Sequence, residues 1–167
     1  MKYEPRSAFL KAVIAESVTL AGTPAGEANL QRLIALTSDR YRSNRDWAIF
    51  LLAQEDVDTP QVRQTLLLAT RDKDEFCGAE AILGLAKRAP DLALPLVQAA
   101  LSGPGACPAI FEAAEHLAHP SLIEDLRAFT APSDHAYADY AAQEALAACE
   151  RALEHQSTSL DAPHRGP

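Results

Sequence analysis

The sequence predicts an all-α fold in which about five pairs of helices stack into a solenoid. Three observations lead to this prediction. Alanine and leucine dominate the apolar residues, proline and glycine fall mostly between the apolar runs, and one helical pattern recurs about every 33 residues. Alanine and leucine are strong helix formers, and a helical pattern with a period of roughly 20–50 residues is typical of stacked repeats.

The recurring pattern is a helix with a small residue at a fixed position. Ala48, Ala81 and Ala113 align at offsets of 33 and then 32 residues, and Ala145 follows 32 residues later. Leucine stands four residues after each of the first three alanines, and glutamate directly precedes each of the last three: Leu52, Leu85 and Leu117, and Glu80, Glu112 and Glu144. Because alanine occupies little volume, it allows adjacent helices to approach closely at this position.

The first elements in chain order are an opening helix from about Pro5 to Leu20 and a second helix from Glu27 to Leu36, which belongs to a degenerate first repeat. The run Trp47–Ala53 follows and is entirely apolar, so it must pack against neighbouring helices. Polar turns such as Thr37–Asp39 and Arg71–Asp74 separate the repeats.

The helices that connect the recurring ones begin with residues that cap helix N-termini. Thr59 precedes Pro60, and threonine is a preferred N-cap while proline suits the first helical position. We expect Asp91 to cap the next connecting helix. Ser121 with Glu124 three residues later has the pattern of a capping box.

Length and composition predict one soluble domain. The 167 residues are 48% apolar and 23% charged, which is a globular balance. We predict a repeat domain over residues 1–154 and a flexible polar tail over residues 155–167. The N-terminus lacks the pattern of a signal peptide, and no apolar run approaches the ~20 residues of a membrane helix. A cytoplasmic location without membrane contact is therefore expected.

The charge of the chain indicates which partners it favours. A formal net charge of −8 argues against a nucleic-acid binder, which normally carries a basic surface. An acidic surface attracts basic partners, although solubility alone also accounts for it. The three cysteines are an odd number without CxxC spacing, which argues against a disulfide framework or a zinc ribbon: Cys77, Cys107 and Cys149.

Two groups of residues are candidates for binding a partner. Tyr41 and Arg42 lie in the basic and aromatic segment of this acidic chain, and both residue types are enriched in interface hot spots. Trp47, nearby, belongs either to this surface or to the core. The second group consists of carboxylates in turns along one edge of the solenoid: Asp56, Asp58, Asp72, Asp74 and Glu75.

No pattern in the sequence predicts catalytic or metal chemistry. Neither a GxSxG nucleophile motif nor a phosphate loop ending in GK[ST] is present. His116 and His119 could share part of a helix face with Glu112 and Glu115, but the HExxH order is absent. We assign the two histidines to a polar cap at the helix end. We therefore predict no enzymatic activity, no metal and no cofactor.

The segment from Ser38 to Ala48 carries a family resemblance. Asp39 is followed by Arg45 six residues later, and Asp72 repeats the aspartate one period on. In this spacing the chain resembles the HEAT repeat family, in the short bacterial form often labelled as phycobilisome-lyase-like repeats, over about residues 28–153. The resemblance implies that the aspartate and arginine make a ladder of contacts between repeats. Gly78 stands where the second arginine would be, so the ladder would be interrupted there.

The block from Arg45 to Leu101 also resembles small HEAT proteins of bacterial polymorphic-toxin systems, which serve as cytoplasmic immunity proteins. This resemblance implies that the chain neutralises a cognate toxin domain by tight binding and without chemistry. A basic toxin domain would suit the net charge of −8. Two alternatives stay open. One is a regulatory scaffold in a larger complex, and the other is an enzyme of the phycobilin-lyase type, which the family resemblance also implies.

Overall fold

The structure, a computed structural model, describes residues 3–103 and 105–160, the last two by their backbone only. All the regular elements in these ranges are helices, and no strand occurs in them. This confirms the predicted all-α class. Where the sequence predicts one domain over residues 1–154, the chain divides into two compact units, Met1–Ala89 and Pro90–Pro167.

The first unit contains five helices. These are α1 (Ala8–Ile14), α2 (Pro24–Leu36), α3 (Arg42–Gln54), α4 (Pro60–Ala69) and α5 (Glu75–Ala86). The main contact is that of α3 with α5, two helices that are one repeat apart in the sequence. Helix α2 packs on α3, and α4 packs on α5. The unit is therefore built from successive helix pairs, as the repeat pattern predicts.

The second unit repeats this arrangement. It contains α6 (Pro90–Leu101), α7 (Pro108–Leu117), a short 3₁₀ helix (Pro120–Leu122), α8 (Ile123–Arg127) and α9 (Ala136–Leu160). Helix α7 packs on α9, again one repeat further along the sequence, while α6 packs on α7 and α8 on α9. Helix α9 continues past the predicted domain end at residue 154. The rest of the predicted tail, residues 161–167, lies outside the described residues.

The recurring alanines occupy the contacts between helices. All four are fully buried: Ala48, Ala81, Ala113 and Ala145. In the first unit, Gly84 extends this close approach, because a Cβ atom there would lie 2.9 Å from the Cβ of Ala53 and 3.0 Å from a methyl group of Leu66. Carbon atoms in contact lie at about 3.5–4.0 Å. Helices α3, α4 and α5 therefore meet too closely for any side chain at this position.

The opening helix is much shorter than the predicted span from Pro5 to Leu20. Ser7 caps its N-terminus, and the helix ends at Ile14 because Glu16 adopts a left-handed conformation with φ of 53°. The Ser17 backbone N–H and hydroxyl both donate to the Ala12 carbonyl, at 3.0 and 2.9 Å. Such bonds close a helix C-terminus by satisfying its last carbonyls. The left-handed residue in such a helix end is usually glycine, so the sequence did not indicate that the helix ends here.

Two of the three predicted N-caps are wrong. Thr59 caps α4 as expected, accepting a hydrogen bond from the Val62 backbone at 3.2 Å. Helix α6, however, begins at Pro90, which places Asp91 inside the first turn and not at the cap. A carboxylate in the first turn still interacts favourably with the helix dipole.

The predicted capping box at Ser121 and Glu124 does not form. His119 is the cap instead, since its Nδ1 accepts a hydrogen bond from the Ser121 backbone at 3.2 Å. The Ser121 hydroxyl contacts the same Nδ1 and accepts from Gln98, while Glu124 pairs with Arg127 on the solvent side. The capping box does not form because this helical segment begins with a 3₁₀ turn, which shifts the positions of the backbone N–H donors.

A buried ion pair joins the turns of two successive repeats. The Arg45 guanidinium donates to both carboxylate oxygens of Asp72, at 2.8 and 3.2 Å, and the two side chains are each 9% exposed. A third bond runs from Arg45 to the Asp39 backbone carbonyl at 3.1 Å. The contact between repeats that the family resemblance implies is therefore present at this step. It involves the backbone of Asp39, whose carboxylate instead accepts from the Tyr41 N–H.

The electrostatics of this pair stabilise the folded state. Burial alone would raise the pKa of Asp72, but the hydrogen bonds from Arg45 and from the Asp74 backbone outweigh it and hold that pKa below its ordinary value. The hydrogen bond to Asp72 also raises the pKa of Arg45. Gly78 stands at the position where the family resemblance implies a second arginine. A Cβ atom there would lie 3.2 Å from the Thr70 carbonyl oxygen, so the backbone itself takes that space.

Arg88 fastens the C-terminal end of α3, a role that sequence analysis did not detect. It donates to five backbone carbonyls with its Nε and both Nη groups: those of Leu52, Ala53, Glu55, Val57 and Gly84. The last carbonyls of a helix have no partner within the helix. A guanidinium group has five N–H donors, so Arg88 uses its full capacity to hold the loop after α3 against α5.

We expect Asp72→Asn to lower the free energy of unfolding by about 3 kcal/mol, because it leaves the Arg45 charge buried without its counter-ion. Urea unfolding at neutral pH measures this loss. The lowered folded-state pKa sets the pH dependence. The contribution of Asp72 is fully present above the unfolded-state pKa of about 3.9 and is lost as the pH falls through the lower folded-state value. The wild type and the variant should therefore converge in acid.

The matched control is Asp56→Asn, which removes an exposed carboxylate from the first unit. Its effect should stay within about 0.5 kcal/mol. Equal stability of the two variants at neutral pH would contradict a structural role for the Asp72 ion pair.

We expect Arg88→Leu to cost about 3 kcal/mol or more, because several part-buried carbonyls lose their donors together. Arg88→Lys should recover part of the loss, since an ammonium group offers three donors. Thermal and urea unfolding of both variants checks the order wild type, lysine, leucine. If the leucine variant unfolded at the same urea concentration as the wild type, Arg88 would not hold the end of α3.

Candidate protein-binding surface

A pocket of about 200 Å³ opens on the surface of the first unit, where α3 and α5 lie side by side. Its lining combines three aromatic rings with two carboxylates: Tyr3, Trp47 and Phe50, and Asp46 and Glu80. We call it the aromatic–acidic pocket. It is lined by residues from three separate parts of the sequence.

Helical periodicity explains how α3 supplies its share of the lining. Asp46 and Phe50 are four residues apart and Trp47 is three before Phe50, so the three side chains share one side of the helix. The rings of Trp47 and Phe50 meet edge to face, with centroids 5.8 Å apart. Helix α5 contributes Glu80, the recurring glutamate that precedes the buried alanine. The segment before α1 contributes Tyr3.

Asp46 is the centre of the polar contacts in the pocket. It accepts a hydrogen bond from the Tyr3 hydroxyl, and partial burial together with this bond raises the pKa of Tyr3 to about 12. The Cys77 thiol lies 3.8 Å from an Asp46 oxygen. Burial, followed by the nearby carboxylates, raises the pKa of Cys77 to about 12. Within residues 3–103 and 105–160, Asp46 thus accepts from neutral donors and forms no ion pair.

The indole N–H of Trp47 is buried and has no acceptor within the part of the chain that the structure describes. Sequence analysis left Trp47 between the surface and the core, and the structure places it at the wall of the pocket, partly exposed. Asp46, Phe50, Glu80 and Tyr3 were not predicted as site residues. The recurring glutamate before the alanine was visible in the sequence, but its position over α3 depends on the packing of the two helices.

The first predicted group, Tyr41 and Arg42, is held by contacts within the chain. The guanidinium groups of Arg6 and Arg40 lie over the Tyr41 ring, at 4.3 and 4.6 Å from its centroid. Arg42 pairs with Asp74 at 2.5 Å while its own side chain stays largely exposed. The Tyr41 ring and the Arg42 charge therefore already have partners within the first unit.

The predicted acidic group separates into structural and exposed members. Asp72 pairs with Arg45, and Asp74 caps α5 by accepting from the Phe76 and Cys77 backbones at 3.2 and 3.4 Å. Asp58 forms a two-pronged ion pair with Arg63 at 2.7 and 2.6 Å, which lowers the pKa of Asp58. Asp56 and Glu75 are exposed and make no ion pair with the rest of the described chain. These two residues, unlike Asp72 and Asp74, can meet a partner without loss of an internal contact.

The histidine cluster forms no metal centre in the described residues. No group of three or more metal-ligating side chains converges there. His119 serves as the cap described above, and His116 is exposed near the end of α7. Nor does any helix in the described ranges have the length and apolar content to cross a bilayer.

The fold is similar to that of a solved protein. The X-ray structure of YibA from Escherichia coli matches this chain with a TM-score of 0.58 at 24% sequence identity. The match covers 81% of this chain and 54% of YibA, so the chain spans about half the length of that protein. At this identity the similarity concerns the fold, and it supports the all-α repeat class. No protein-family model and no curated protein matches the chain.

The three cysteines differ in exposure, which bears on any covalent chemistry. Burial raises the pKa of Cys77 to about 12 and that of Cys149 to about 11, while Cys107 is partly exposed. A thiol reacts as its thiolate. We therefore expect iodoacetamide at pH 8 to modify Cys107 first in the native protein, with Cys77 and Cys149 reacting at the much lower rate of local opening.

Peptide mapping by mass spectrometry after timed alkylation measures the three rates, and the same protein in denaturant provides the control. Rapid native modification of Cys77 or Cys149 would contradict this expectation. It would also favour an enzyme that attaches a chromophore, since such chemistry requires a reactive side chain.

Proposed function

We propose that the chain is a non-catalytic module that binds another protein through the surface formed by α3 and α5. The observation that carries this proposal is the aromatic–acidic pocket together with the exposed aromatic residues around it. Tyr3 and Phe76 are each 50% exposed, and Phe50 is also exposed. Phe76 lies one turn before Glu80 on α5, on the same side of the helix.

Exposed aromatic side chains beside carboxylates suit recognition of a basic protein surface. Aromatic residues are enriched at the centres of interfaces, where they bury a large apolar area and contribute a large share of the binding energy. The formal net charge of −8 attracts a basic partner over distance and raises its rate of association. The exposed carboxylates Asp56 and Glu75 add to this field.

The most specific form of the proposal is an immunity protein that neutralises a toxin domain by covering it. The resemblance of residues 45–101 to immunity proteins of polymorphic-toxin systems supports this form, and so does the acidic surface. In such a complex the partner's active site is blocked sterically or electrostatically, and no reaction takes place on this chain.

A regulatory scaffold is the second candidate, favoured by a separate exposed pair of rings in the second unit. Tyr137 and Tyr140 project from the first turns of α9 and are both about 60% exposed. The Tyr137 hydroxyl donates to Glu112 at 2.8 Å. A second aromatic surface of this kind would allow two partners to bind one chain.

We expect immobilised protein to capture a single stoichiometric partner from lysate of the native cell, resistant to moderate salt and identified by mass spectrometry. That partner should be toxic when expressed alone and harmless when co-expressed with this chain. The double variant Phe50→Ala/Phe76→Ser should capture at least about tenfold less, because hot-spot aromatic residues contribute about 2 kcal/mol or more each.

The matched control is Leu68→Ser, which removes an exposed apolar side chain from α4. Circular dichroism must show that all variants remain folded. A diffuse set of weak partners would favour the scaffold, and equal capture by the double variant and the wild type would exclude the α3–α5 surface. The predicted acidic edge is tested separately with Asp56→Lys/Asp58→Lys, which spares Asp72 and Asp74 because those residues hold the fold.

A further inference from the structure

We propose that the aromatic–acidic pocket receives an arginine side chain of the protein partner. This inference rests on the proposed function and gives the chemistry by which the partner is recognised. It concerns Tyr3, Asp46, Phe50 and Glu80, which were not predicted from sequence as site residues, together with Trp47, which sequence analysis left between surface and core.

The size of the pocket favours one side chain over a whole small molecule. Pockets for drug-sized ligands measure roughly 300–1,000 Å³, whereas this one measures about 200 Å³. A single bound water needs far less, about 30 Å³. The space therefore matches a long side chain that enters from a partner surface.

The lining selects a planar cation. Three aromatic rings line the pocket, and the π face of an aromatic ring attracts positive charge, most strongly that of tryptophan. Two carboxylates, Asp46 and Glu80, lie in the same lining and supply hydrogen-bond acceptors. A guanidinium group stacks on aromatic faces and donates in a fixed fork to carboxylates, while an ammonium group does neither as well. Arginine fits this combination better than lysine.

Three arginines of the first unit have their partners away from this pocket. Arg42 is one turn from Asp46 along α3, but it pairs with Asp74 at 2.5 Å. Arg45 is held by Asp72, and Arg88 is surrounded by carbonyls at the other end of α3. Within the described residues Asp46 forms no salt bridge, and the Cys77 thiol lies 3.8 Å from one of its oxygens. A cation from a partner would therefore add an ion pair at Asp46 without displacing a described one.

The test uses the purified chain and the fluorescence of Trp47, its single tryptophan. The probe is acetyl-Gly-Arg-Gly-amide, added up to roughly 10 mM, which is ten times the dissociation constant of a weak millimolar complex. We expect a saturable change in emission. The neutral citrulline peptide should give no saturable change, and the lysine peptide should bind several-fold more weakly.

Variants locate the binding within the molecule. Asp46→Asn/Glu80→Gln keeps the shape of the pocket and Trp47 but removes both charges, and it should weaken arginine binding about tenfold. The control Glu154→Gln removes one exposed carboxylate from α9 and should leave the affinity unchanged. Circular dichroism and urea unfolding confirm that each variant is folded, so that a lost response reports on the pocket.

Three results would overturn the proposal: no saturable response to the arginine peptide, an equal response to citrulline or lysine, or full binding by the double variant. Failure here is distinct from failure of the proposed function. If the chain does not bind the arginine peptide but still captures its partner, only the assignment of the pocket to arginine is wrong. If the chain binds the arginine peptide but captures no protein, the proposed protein-binding function is wrong.

Discussion

The direct packing of α3 against α5 is the contact on which the rest of the first unit depends. Ala48 and Ala81 are buried there, and Gly84 has no space for a Cβ atom beside α3. Because the helices lie so close, residues near their ends can reach across. Arg45 meets Asp72 at one end, and the Arg88 guanidinium closes the other end. The aromatic–acidic pocket lies on the outer surface of the same two helices.

Charged residues in this unit have two separate uses, and burial distinguishes them. The buried Arg45 has Asp72 as its partner, and the part-buried Arg88 has five carbonyls. An unmatched buried charge would cost several kcal/mol or more, so such groups cannot also serve a partner. Exposed carboxylates such as Asp56 form no ion pair within the described chain and are available to a protein partner. The acidic residues grouped together by sequence therefore differ in role according to where the packing places them.

Much of the architecture could be predicted from the sequence, because helix pairs bury their apolar faces in a regular period. The aligned alanines, the cap at Thr59 and the all-α class follow from local chemistry alone. The predicted helix ends were wrong where a second local interaction competed with the one that the residue types indicated. Glu16 ends α1 through a conformation that usually requires glycine, and His119 displaces Ser121 as the cap because a 3₁₀ turn precedes α8. Neither choice is visible in residue types or spacing.

The all-α class, the repeat period, the acidic charge and the buried positions of the alanines can all be predicted without knowledge of the folded chain. These properties depend on composition and on the spacing of residues along one helix. The packing of the helices, in contrast, selects the residues that form the pocket, since Tyr3, Asp46 and Glu80 come from segments distant in sequence and meet only when α3 packs on α5. It also decided that Asp72 and Asp74 serve the fold, because their partners lie about one repeat away along the chain.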